Sequence, residues 1–179
     1  MEPTELRLRA RRAYELGRVR MAARAGGAAL LIAAAALALG RPLFPTAPIA
    51  LVLIVAGGVL VFRGRAGGRA VWPGLAAGTV AMLLPIALTT AGCALFGPGC
   101  MRFCLPTCVV AGCMLGASLA LLGAREEQGA REFLLAGIAT AALAAALGCT
   151  VAGAAGVAGM AVGVLAAGAP VWVVARPQR

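Results

Sequence analysis

Charged residues in this chain fall in short blocks, and the uncharged stretches between them, 25–40, 42–62, 70–101, 103–124 and 133–175, are dominated by Ala, Leu, Val and Gly. A helix needs about 20 apolar residues to cross roughly 30 Å of hydrocarbon. In lipid, only helices and closed barrels satisfy their own backbone. Divided at their turn signals, the stretches predict six spans, at about 26–44, 46–62, 72–96, 105–122, 133–148 and 152–175. In the first of these, Leu43 and Phe44 extend the run Gly26 to Leu39, with Arg41 snorkelling to the interface. The last stretch tests the count. From Phe133 to Ala175 no residue is charged, and one helix of that length would reach about 64 Å at 1.5 Å per residue. It must fold back, and Gly148, Cys149 and Thr150 mark the turn of an expected tight hairpin between spans five and six.

The predicted class is an all-α integral membrane protein, a bundle of six transmembrane helices over 26–175 with a short N-terminal amphipathic helix in 1–25 and a tail at 176–179. Composition agrees, since 62% of residues are apolar and the mean hydropathy is +0.96, which leaves no material for a separate soluble domain. Short loops rich in arginine stay in the cytoplasm. An arrangement with both termini inside collects fourteen of the sixteen arginines there and leaves only Arg41 and Arg102 outside. The expected location is the bacterial inner membrane, with the bilayer as the first partner.

Charge then bears on chemistry. The chain has no histidine, aspartate or lysine, and its six glutamates all lie close to arginines. Acid–base, triad and histidine–metal chemistry have almost nothing to work with, and no enzyme activity is expected. A transporter usually carries ionisable groups at mid-membrane, and none of the six predicted spans has one away from its ends.

What the chain does have is thiols. Cys93, Cys100, Cys104, Cys108 and Cys113 fall within 21 residues, Cys149 sits at the last turn, and in the topology above all six face the outer end of the bundle. Gly97-Pro98-Gly99 interrupts the chain, and Pro106 suits a first helical turn, so span four is expected to start near Leu105 with Cys100 in the loop. Three readings of the thiols stay open. Six cysteines on an oxidising face form structural disulfides that staple a bundle. Clustered thiolates at Cys100, Cys104, Cys108 and Cys149 suit Zn, Cd or Cu(I), although no standard zinc spacing is present. The third reading is a redox or metal sensor whose oxidation or ligation changes how the spans pack.

The arm, residues 1–25, reads as a helix in which Leu6, Ala10, Ala13, Gly17 and Met21 recur at helical spacing while Arg7, Arg11, Arg18 and Arg20 point elsewhere. It serves either as a positive anchor on anionic lipid or as a docking helix for a cytoplasmic protein, with no direct nucleic-acid contact expected. Gly74 and Gly78, Gly112 and Gly116, and Gly156, Gly159 and Gly163 predict close helix packing within one bundle. Trp72 and Trp172 suit the membrane interface.

The segment Cys100-Met-Arg-Phe-Cys104-Leu-Pro-Thr-Cys108 together with Leu147-Gly148-Cys149, set in six spans behind a cytoplasmic arm, resembles the NrsF-type membrane anti-sigma factors of bacteria. The resemblance implies that Cys104 or Cys108 and Cys149 sense a metal or an oxidant. It also implies that the arm, through Leu6, Arg7, Arg11, Tyr14 and Arg18, holds a sigma factor that the signal releases. The chain departs from that pattern at Gly148, where such proteins often carry histidine, in an arm that is short and strongly basic, and in its extra Cys93 and Cys113. The alternatives are a thiol-rich metal-handling membrane protein and a disulfide-stapled structural bundle.

Overall fold

The computed structural model describes residues 3–96, 104–126, 128–149 and 153–175, and among them every regular element is an α-helix. These are α1 (Pro3–Ala38), α2 (Leu43–Arg63), α3 (Ala66–Phe96), α4 (Cys104–Ala124), α5 (Ala130–Cys149) and α6 (Gly153–Ala175). Helices α1 to α5 each contain a window long and apolar enough to cross a membrane, and Ala158–Val174 of α6 is a shorter apolar stretch. The expected all-α architecture with membrane-length helices is therefore present.

Large apolar side chains point outward and small ones inward. Leu31, Leu51, Val55, Val110, Met114, Leu135, Leu165 and Val174 are exposed, whereas the core is built largely of alanines, among them Ala25, Ala29, Ala36, Ala70, Ala141, Ala144 and Ala145, joined by Leu53, Met82, Leu119 and Leu147. In water such a surface would aggregate. In a bilayer it is the stable choice, because lipid tails are as apolar as leucine and helices associate by close packing of small residues.

Three helix pairs carry most of the packing. In α1 and α2 the chain doubles back through Gly40, at φ +80°, so that Gly26 lies over Ile54 and Arg18 over Phe62. Leu43 and Phe44 consequently open α2 and do not extend the first helix, and Thr46 Oγ1 donates to the Pro42 carbonyl at 2.7 Å in the first turn. Helices α3 and α5 run parallel, with Gly74 on Gly137, Gly78 on Ala141 and Gly148 on Met82 in order along both. Helices α4 and α6 are likewise parallel, with Gly112 on Met160 and Gly116 on Val164. At Gly74, Gly78, Gly148, Gly112 and Gly116 a Cβ would meet backbone of the partner, so only hydrogen allows the approach.

One expectation of packing changes. The predicted hairpin of spans five and six is not the packing unit, since α6 lies along α4 and only grazes α5. One flank of α5 is already taken by the smooth Gly74 and Gly78 face of α3, and the matching face for Gly163 is the backbone of Val109, Gly112 and Cys113. The arm and the first apolar stretch form one helix, since α1 is continuous from Pro3 to Ala38. Gly26 and Gly27 each cost about 1 kcal/mol relative to alanine, and the helix is held through them by its packing on α2 along Ala25, Ala29, Ala33 and Ala36.

Candidate functional site

The parallel pairs divide the molecule into two ends. One holds the start of α3 and α5 and the close of α2, α4 and α6; the other holds the remaining termini of those helices. At the second end Cys104 opens α4 and Cys149 closes α5, while Cys93 lies in the last turn of α3. Cys100, and the side chains of Cys93, Cys104 and Cys149, lie outside the described residues.

Cys108 and Cys113 are described, both on α4. Helix α4 begins at Cys104 with Pro106 in its first turn, as its sequence predicts. Cys108 therefore sits one turn in and Cys113 two to three turns in. Their environments differ. Cys108 is 1% exposed, while Cys113 is half-buried on a helix whose Gly112 is pressed against α6. The five-residue separation turns them about 140° apart on a helix of 3.6 residues per turn, so they do not share a face. Among the described residues no three Cys, Asp or Glu side chains converge as a metal site. Of the four expected thiolate ligands Cys100, Cys104, Cys108 and Cys149, only Cys108 falls within that description.

The opposite end is basic. From Glu5 to Leu16 every described side chain of α1 is exposed, including Arg7, Arg11 and Tyr14, so the described face of this segment is open. Arg11 Nε donates to Glu15 Oε1 at 3.1 Å, one helical turn away and in solvent, a pair worth about 0.3–0.5 kcal/mol. The side chain of Leu6 lies outside the described residues. One turn further on the role changes: Arg18 reaches α2, donates to the Phe62 carbonyl and lies over the Phe62 ring at 4.9 Å and the Tyr14 ring at 5.6 Å.

Arg18 completes the end of α2. The last carbonyls of a helix lack intrahelical donors. Here Gly64, at φ +66°, turns its N–H back to Leu60 and Val61, at 3.3 and 3.0 Å, and Arg18 takes Phe62. A cation at this place also meets the negative end of the helix dipole. Nearby, Arg69 at the start of α3 pairs with Glu126 of the α4–α5 connection at 3.0 Å, and Gly129 rests on Ala66. The pair is partly exposed and adds at most about 1 kcal/mol, but it fixes where that connection lies. Helical periodicity groups Arg18 with the outward-facing arginines. Its tie to a carbonyl 44 residues away leaves no local signal, although Arg63-Gly64-Arg65 does mark the turn it serves.

Comparison with protein-family models, with curated proteins and with solved structures gave no match.

Proposed function

We propose that the protein is a six-span regulator of the bacterial inner membrane with both termini cytoplasmic. In this reading thiols at its outer end receive a metal or oxidative signal, and its basic N-terminal helix holds a cytoplasmic sigma factor until that signal arrives. It is a regulator and not an enzyme. The reading rests on the resemblance of the cysteine segment to NrsF-type anti-sigma factors, and its orientation in the membrane on the clustering of arginines at one end.

The observation that carries it is the construction of α1. Residues 5–16 offer an exposed helical surface, and the same helix continues without a break into the alanine-packed contact with α2. A partner seated on the projecting segment is thereby joined rigidly to the bundle. Cys108 supports the other half of the reading. A buried thiol in the first turns of α4 cannot gain oxygen or a metal without shifting its neighbours, and α4 spans the distance from the thiol end to the Arg69–Glu126 contact.

The test is affinity capture of the tagged full chain from its own cells beside a version lacking residues 2–16, with retained proteins identified by mass spectrometry. Residues 17–25 are kept because Arg18 and Ala25 belong to the packing of α2. A sigma factor retained only by the full chain supports the reading, and its absence from both overturns it. Sensing is tested separately: a stress response unchanged by replacing Cys104, Cys108 and Cys149 with serine removes the thiols from the mechanism.

A further inference from the structure

At the basic end a cleft of about 720 Å³ opens between the close of α2, the start of α3 and the first half of α5. Among the described residues its rim carries Arg18, Arg63 and Arg65 against one carboxylate, Glu132. Its wall is apolar, with Leu135 and Ala139 among the lining residues of α5. Arg63 and Arg65 are exposed, and Arg18, half-buried, keeps its Nε buried without an acceptor.

The geometry points to a binding site for one anionic glycerophospholipid, its phosphate held by the three arginines and an acyl chain laid along Leu135 and Ala139. Three guanidiniums and one carboxylate leave a net charge of about +2 on the rim, which complements a phosphodiester with an acidic headgroup. The wall decides the source of the phosphate. Leu135 is 71% exposed and belongs to the apolar window Ala130–Gly148 that is long enough to cross a membrane, so the cleft continues into the hydrocarbon, where a soluble anion has no reason to follow. The Gly64 turn brings the backbones of Arg63 and Arg65 to the same rim as Arg18, whose side chain is fixed by Phe62, so the headgroup would meet one donor already in position and two within reach. Binding there would clamp α1, α2 and α5 together at the root of the projecting helix.

The experiment is a titration of the purified full chain in detergent with phosphatidylglycerol, phosphatidylcholine or inorganic phosphate, read by thermal unfolding and by native mass spectrometry. The variants are Arg63→Gln/Arg65→Gln and, as an equal-charge control on the projecting segment, Arg9→Gln/Arg12→Gln, both exposed. Expected are one retained phosphatidylglycerol with a rise in Tm, no such rise with phosphatidylcholine or phosphate, and a roughly thirty-fold weaker affinity in the cleft variant. The control should stay within about twofold of the parent. Equal losses in both variants would reduce the effect to overall charge. An equal response to phosphatidylcholine would remove the role of the arginines, and an equal response to phosphate would make the site one for a soluble anion; each of these overturns the assignment.

Discussion

Gly116 lays its backbone on that of Val164 so closely that a Cβ at residue 116 would stand 2.9 Å from the Val164 Cα. Backbone cannot swing aside as a side chain does, so a larger residue must push α6 off α4 along its length. Gly116→Val is expected to cost at least about 1–3 kcal/mol, measured by unfolding in detergent. Gly27→Ala, where nothing lies within 4 Å of the added methyl, should be neutral or stabilising. Equal stability of Gly116→Val and the parent would mean that α4 and α6 do not meet at this face.

That contact also separates what was legible in the sequence from what was not. Glycines four apart announce close approach, and Gly74, Gly78, Gly112 and Gly116 all provide it. The letters do not say to whom. A short connection at 150–152 makes α5 and α6 neighbours in the chain, but α5 already fits the smooth face of α3 and α6 finds the backbone of α4. The same limit applies at the candidate site. Periodicity put Arg18 on the polar side of a helix, and only the antiparallel return of α2 brings Phe62 beneath it.

Thr140 and Gly74 occupy one another's space. Thr140 is fully buried, its hydroxyl donates to Ala136 at 2.8 Å, and a Cβ on Gly74 would fall directly on its Oγ1 and 2.8 Å from the Gly137 carbonyl. Gly74→Ala should therefore destabilise clearly. Thr140→Ala should cost less, since the bond it loses is local to α5. The double variant should be more stable than the sum of the two, by at least about 0.5 kcal/mol, because removing the hydroxyl clears half of the obstruction. Additive effects in this double-mutant cycle would refute the α3–α5 register.

At the close of α2 two different devices satisfy adjacent carbonyls, and each has its own cost of removal. Gly64→Ala forces an L residue into the left-handed region at φ +66° and is expected to cost about 1–2 kcal/mol. Arg18→Leu keeps an apolar stem over Phe62 but removes the donor and the cation, at about 0.3–2 kcal/mol. Scanning calorimetry in detergent reads both. If Arg18→Leu left the Tm unchanged while Arg7→Leu lowered it, the arginine that anchors α1 would have been misidentified.

The two described thiols offer the last comparison. Cys108 is 1% exposed and Cys113 half-buried, so in versions retaining one cysteine each, a small membrane-permeant maleimide should modify Cys113 faster, and the difference should vanish once the chain is unfolded in strong detergent. The contrast also discriminates between ways of sensing. If Cys108 receives the signal, α4 must first move enough to uncover it, and labelling of Cys108 in living cells should rise on exposure to the inducing metal or oxidant while that of Cys113 changes little. Cys108 that reacts as fast as Cys113 before any stress would show that the packing around α4 is already open, and a thiol that is always accessible cannot report the opening of its own helix.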